Sequence, residues 1–277
     1  MIRALILLTL LATASACASR PAPEPPPTPT SMKEAASAQE QPGGAEATTI
    51  GDVVVTPLHH GSLTLTWEGR VIQVDPVTRA LEAATGGQPG SVPKADLILV
   101  THIHGDHLDP EAIALLRKEG APVITPASVA EKAGDALKAP TVIENGASIQ
   151  VLDGTVEVEA FPMYNLVRKR DNGDFYHPKG RGNGYIVRVG GQAIYISGDT
   201  ECTPEMKALT DIDAAFVCMN LPYTMTVPEA AECVRSFKPK VLYPYHHRDQ
   251  DPTQLKALLA DVPETELRIL DWYPEAK

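Results

Sequence analysis

Thr101-His102-Ile103-His104-Gly105-Asp106-His107 is the stretch on which the reading of this chain turns. It directly follows the apolar run 95–100, so it forms a loop at the end of a strand. The chain holds only eight histidines in 277 residues. Three of them with an aspartate inside six positions have a chance expectation on the order of one in a few thousand for this composition. Neutral imidazoles and a carboxylate are first-choice ligands for borderline divalent cations, and on one tight loop they lose little entropy in converging. His102, His104, Asp106 and His107 therefore predict a metal site rather than a polar surface loop.

On either side of this loop the pattern is regular. Strand-like runs at 52–56, 63–67 and 71–75 precede it, separated by Gly61 and the Glu68-Gly69 turn, and predict an antiparallel meander. Helical patterns follow at 110–118, with Asp109 as N-cap before Pro110, and at 127–137, 227–237 and 253–260. Between them lie strand patterns at 123–124, 142–143, 149–152, 156–161, 185–189, 193–197, 214–218 and 240–243. Two β-rich halves on the same plan, with helices outside, predict an α/β fold, a four-layer αββα sandwich.

The loop matches the HxHxDH motif of the metallo-β-lactamase-fold hydrolases, and the chain resembles that superfamily across its folded part. His60-Gly61-Ser62 and Val74-Asp75-Pro76 resemble the opening of the branch containing ascorbate-6-phosphate lactonase and N-acylphosphatidylethanolamine phospholipase D. Tyr195-Ile196-Ser197-Gly198-Asp199-Thr200 resembles the family's strand-to-loop GDT, and Tyr243-Pro244-Tyr245-His246 the segment that supplies its last histidine. The resemblance implies His102 and His104 on one metal, Asp106, His107 and His246 on the other, and Asp199 bridging them. Asp106 and Asp199 are then the catalytic carboxylates, with His60 and Asp75 in supporting positions. The implied cofactor is one or two Zn2+, with Mn2+ or Fe2+ as alternatives because nitrogen and oxygen donors discriminate poorly among them. The implied reaction is hydrolysis of an ester, lactone or phosphodiester by a water that the cations have acidified. Two other readings stand beside it: iron-dependent redox chemistry on the same fold, and a non-catalytic envelope lipoprotein that binds a metal or ligand.

The chain departs from the family at the third histidine of the first metal. The segment Phe161-Pro162-Met163-Tyr164-Asn165 has none, and the candidate is His177, a dozen residues further along the same loop, with Asn165 or water as the alternative. That loop is basic, carrying Arg168, Lys169, Arg170, Lys179 and Arg181 against Asp171 and Asp174. Lys179 and Arg181 are the expected holders of a phosphate or carboxylate of the substrate, and His247 is expected to face the substrate or a supporting acceptor. The expected substrate is a small anionic molecule or a phospholipid head group.

The balance of 24 Lys plus Arg against 35 Asp plus Glu, net −11, argues against a nucleic-acid partner. Residues 1–16 read as a signal peptide, a lone Arg3 before an apolar run too short to span a bilayer and then small residues. Ala14-Ser15-Ala16-Cys17 resembles the bacterial lipobox, which implies export, lipidation of Cys17 and attachment to the periplasmic face of a membrane; plain cleavage after Ala16 is the alternative. Ala18 after the Cys, by the same resemblance, favours the outer membrane. Residues 17–48 hold seven of the 25 prolines and none of the large apolar residue types Phe, Trp, Tyr, Ile, Leu or Val, so they read as an extended tether, leaving 49–277 as one domain. Cys202 lies close enough in sequence to Asp199 to approach the metals, while Cys218 and Cys233 read as core packing residues; with Cys17 lipidated, the remaining cysteines allow at most one disulfide.

Overall fold

The computed structural model describes residues 47–274, so the expectations for the signal peptide and for nearly all of the tether lie outside the described residues. The first half runs β1 (Thr48–Ile50), β2 (Val53–His59), β3 (Ser62–Trp67), β4 (Arg70–Val74), α1 (Thr78–Thr85), β5 (Leu97–Leu99), α2 (Pro110–Leu116), β6 (Val123–Thr125), α3 (Ala127–Ala133) and β7 (Thr141–Val142). The second runs β8 (Ser148–Val151), β9 (Val156–Met163), β10 (Gly182–Val189), β11 (Gln192–Ile196), α4 (Pro204–Lys207), β12 (Ala214–Cys218), α5 (Val227–Phe237), β13 (Val241–Tyr245), α6 (Leu255–Leu258) and β14 (Glu266–Leu267).

Each half makes one seven-stranded sheet, in the order β1 to β7 and β14 to β8. Both sheets are antiparallel at the hairpin end and parallel where helical connections return the chain, from β4 to β7 and from β11 to β14. The layering is legible in β5. Leu97 and Leu99 pack with Leu63, Val158, Tyr185 and Ile194 in the core between the sheets, whereas Ile98 and Val100 pack with Ile113 and Val129 beneath α2 and α3. Alternate side chains leave opposite faces of a strand, so β5 is a wall with a core on each side, as the four-layer sandwich requires.

Local signals account for the helices the sequence predicts. Asp109 accepts hydrogen bonds from the backbone N–H groups of Glu111 and Ala112 at the start of α2. Thr226 and Glu229 form a reciprocal capping box on α5, whose Val227, Ala230, Ala231, Val234 and Phe237 are all buried. The pattern at 127–137 is one helix in sequence but two pieces in space, because Gly134 leaves the helical conformation at φ +52° and the chain tightens into a 3-10 turn. Helices α1 and α4 and strands β1 and β14 are not apparent from periodicity, being eight, four, three and two residues long.

Candidate metal centre

The loops after β4, β5, β11 and β13 bring Asp75, His102 to His107, Asp199 and His246 together at one edge of the sandwich. Asp75 is the buried organiser. Its carboxylate accepts from Thr101 N at 2.7 Å and Thr101 Oγ1 at 2.6 Å, which pins the start of the histidine loop. It also takes the Nδ1–H of His107 at 2.7 Å, so His107 presents Nε2 to the site. Ser62 donates to the backbone carbonyl of Asp75, and Gly61 leaves the room the histidines need: a Cβ there would lie 2.8 Å from His107 Cε1 and 3.0 Å from His246 Cδ2.

Two donor sets result. In the first, His104 Nδ1 lies 3.0 Å from His102 Nε2 and 3.2 Å from His177 Nε2, with Asp199 Oδ2 at 3.4 Å from His177 Nε2. In the second, His107 Nε2 and His246 Nε2 are 3.0 Å apart, and Asp199 Oδ1 stands 3.6 and 3.5 Å from them. Asp106 Oδ2 closes that set, 3.6 Å from His246 Nε2. The two oxygens of Asp199 thus face different sets, and Oδ1 is buried with no hydrogen-bond partner among the described residues. Imidazole nitrogens converging at this spacing around an unpartnered carboxylate oxygen fit a divalent cation in each set.

The structure brings His177, not Asn165, into the first donor set. Asn165 Oδ1 accepts from the backbone N of His177 at 2.7 Å and pairs with His177 Nδ1 at 3.0 Å, which turns Nε2 toward that set. Asn165 is held in turn through its Nδ2 by Glu201 Oε1 at 3.2 Å and the carbonyl of Tyr223 at 2.9 Å. Glu201, buried two residues beyond Asp199, also accepts from the backbone N–H groups of Leu166, Val167 and Arg168, so one carboxylate ties the histidine-bearing loop to the aspartate-bearing one. The sequence reading missed Glu201; a carboxylate just after the Gly-Asp-Thr turn is the only signal it leaves.

Electrostatics follow from burial. Burial and the neighbouring His177 push His104 down to about 4, and burial pushes His60 down to about 3 despite its 3.2 Å contact with Asp106, so both are neutral near pH 7. Burial opposes charge on His107 as well, but Asp199 and Asp75 lift it to about 9. Burial would raise the Asp199 carboxyl, yet His246 and His107 hold it well below the usual range. Three carboxylates, Asp75, Asp106 and Asp199, converge here, and a divalent cation neutralises such a concentration of negative charge. His60 supports the site from the side: Nδ1 pairs with Tyr273 OH at 2.8 Å, and its ring lies 3.7 Å from that of His246.

Of the expected substrate contacts, Arg181 lines the cleft beside His104 and His177. Lys179 does not: its ammonium group pairs with Glu205 at 2.7 Å and lies over the ring of Tyr164. His247 is also turned away, buried with its ring edge-on to Tyr273, because successive residues after a strand point in different directions and His246 faces the donor sets. Cys202 and Cys233 form a disulfide, the one bridge the sequence allows; Cys233 packs in the core as expected, and Cys202 is held by the bridge instead of joining the donor sets. Cys218 is free and buried.

Comparison with known proteins agrees with this fold. Residues 54–246 match the beta-lactamase superfamily domain. A UPF0173 metal-dependent hydrolase of Anaeromyxobacter dehalogenans is 30% identical over 240 residues, spanning 80% of this chain and 85% of its own. A protein of Parabacteroides distasonis, solved as a candidate metal-dependent hydrolase, is 41% identical with a TM-score of 0.72 over 82% of this chain and 98% of its own. Igni18, a metallo hydrolase of Ignicoccus hospitalis, shares the fold at 20% identity, with a TM-score of 0.66 over 80% of this chain and 96% of its own. The chain belongs to the beta-lactamase superfamily, as a metal-dependent hydrolase of the UPF0173 kind.

Proposed function

We propose that this hydrolase cleaves an ester, lactone or phosphodiester bond of a small substrate at a two-cation centre held by His102, His104, His177, Asp199, Asp106, His107 and His246. The carrying observation is Asp199, whose two oxygens address two separate imidazole groups while one of them stays unpartnered in a buried site. Zinc suits the donor set, and manganese or iron are accommodated by it. Bound there, the cations would supply Lewis acidity and an acidified water as nucleophile. The chain's own part is positional. Asp75 and Asn165 fix the tautomers of His107 and His177, and Asp106, partly exposed to the cleft and hydrogen-bonded to His60, would accept a hydrogen bond from a water there. Metal analysis of the purified protein followed by a screen of esters, lactones and phosphodiesters tests this. Turnover should need metal and vanish in His102→Ala and Asp106→Ala; full activity of the metal-free protein would sink the reading.

The same proposal places the protein in the envelope, exported and held by lipid at Cys17 on the periplasmic side, with the outer membrane as destination. The Cys202–Cys233 bridge supports an oxidising compartment, since such bonds persist there and are rare in reducing ones. A Cys17→Ser variant should leave the membrane fraction; one that sediments with membranes regardless is not held by lipid.

A further inference from the structure

The cleft over the metal centre has two lobes that share His104, Arg170, Tyr176 and His177. One, of about 360 Å3, has Asp106 and Asp199 among its lining residues, with Arg170, Arg248, Asn220 and Tyr223 around them. Arg170 comes from the loop between β9 and β10, Arg248 from the loop after β13, and Asn220 from the loop after β12. Three separate elements therefore bring hydrogen-bond donors to one small space above the reacting centre.

The basic residues of the long loop divide into those already engaged and those that are not. Arg168 is paired with Glu201 and Glu229, Lys179 with Glu205, and Lys169 lies over the ring of Phe175. Arg170 and Arg181 have no carboxylate partner among the described residues; Arg181 lines the other lobe, whereas Arg170 lies against the ring of Tyr176, itself edge-on to Tyr223. Its other contact is His104 Nε2 at 3.2 Å. Because His104 turns Nδ1 to the first donor set, a cation there leaves the proton on Nε2, and two donors then face each other. That contact cannot satisfy the guanidinium, which stays available. Among the described residues, the only carboxylate the Arg248 guanidinium reaches is Asp106, whose Oδ2 lies 4.0 Å away.

Charge and an orphaned amide point the same way. In this lobe two arginines offset two aspartates, so each divalent cation leaves it positive, in a chain whose net charge is −11. Asn220 is 1% exposed and its Oδ1 has no partner among the described residues. The residue lines the lobe, where its carboxamide NH2 is a donor for an anionic oxygen.

We propose that Arg170, Arg248 and Asn220 form an oxyanion subsite that selects substrates carrying a phosphate or carboxylate next to the bond that is cleaved. The inference rests on the hydrolase reading above and names its substrate class. Guanidinium groups suit the task because each offers two parallel donors to such a group.

Titration calorimetry of the zinc-loaded full chain with inorganic phosphate, sn-glycerol 3-phosphate and acetate tests it. Arg170→Gln and Arg248→Gln should each weaken phosphate binding about tenfold or more with bound zinc unchanged, and Asn220→Ala by a smaller factor. Lys179→Gln, a cation of the same loop engaged elsewhere, should leave the affinity as it was. Tighter binding of sn-glycerol 3-phosphate than of inorganic phosphate shows that the lobe also engages the organic part of a phosphate monoester, and equal or weaker binding that it grips the anion alone. Kinetics supply the second arm: KM for mono-(4-nitrophenyl) succinate should rise about tenfold relative to that for 4-nitrophenyl butyrate in the arginine variants. Phosphate affinity and ester preference both unchanged in the Arg170→Gln/Arg248→Gln double variant, at full zinc content, would overturn the subsite. Arginine-dependent phosphate binding without turnover of any ester would keep the subsite and remove the hydrolase reading instead.

Discussion

Asn165 Oδ1 receives both the backbone N–H and the ring Nδ1 of His177, so it decides which nitrogen of the histidine faces the first donor set. His177→Ala should therefore lower metal stoichiometry or affinity, whereas Tyr164→Phe should not, because the Tyr164 hydroxyl is spent on Glu205. Inductively coupled plasma measurements on the two variants check this; unchanged metal in His177→Ala would return the ligand role to Asn165 or water. Asn165→Ala should weaken metal binding roughly 10- to 100-fold, the range for losing the partner that orients a ligating histidine. Competition with a chromogenic chelator measures it, and an affinity equal to that of the parent would leave Asn165 with no orienting role.

The Cys202–Cys233 bridge closes 31 residues of chain and ties the loop after Asp199 to α5. Chain-entropy reasoning gives such a loop about 3–4 kcal/mol of stabilisation. Urea unfolding with and without reductant should show a loss of that order, and Cys202→Ser/Cys233→Ser should reproduce it. A midpoint indifferent to reductant would show that the bridge contributes nothing to stability. Asp109 is shared in the same manner, capping α2 through one oxygen while the other accepts the backbone N–H of Thr78 at the start of α1. Asp109→Ala should then cost about 1–2 kcal/mol, at the upper end for loss of a cap. Asp109→Asn, which keeps one acceptor but turns an NH2 toward a donor at the other, should recover only part of it.

Stability of the metal-free protein should depend on pH in both directions. His60 and His104 have folded values below their unfolded value near 6.5, and Asp96, Asp109 and Asp213 lie below theirs near 3.9, so the folded state binds fewer protons and stability is lost as pH falls. His107, raised to about 9, works the opposite way: its contribution is complete below about pH 6.5 and lost as pH rises through 9. The urea midpoint of the chelated protein should therefore peak near pH 6–7 and fall on both sides. His107→Gln should flatten the alkaline limb, and an alkaline limb unchanged in that variant would assign it to other groups. Restoring zinc at a hundred times its dissociation constant should stabilise the fold by about 2.7 kcal/mol, seen as a rise in Tm.

Much of the architecture was legible in the chain because it rests on local rules. Alternation marked β3, β4 and β9, Asp109 and the Thr226–Glu229 box marked helix starts, and the spacing of His102, His104, Asp106 and His107 announced a metal before any strand was paired. Short elements such as α1 and β14 carried no such mark, because a few residues cannot show a period. What remained was a matter of approach between distant segments. His177 reaches His104 across 73 residues, Cys202 meets Cys233, and Glu201 holds Asn165, none of which any spacing rule encodes. Charge behaved likewise: the sequence shows five cations in one loop, but the fold engages Arg168 and Lys179 with carboxylates and leaves Arg170 in the lobe that Asp106, Asp199 and Arg248 also line. A side chain's chemistry is written at its own position, whereas its partner and its burial are properties of the packed molecule.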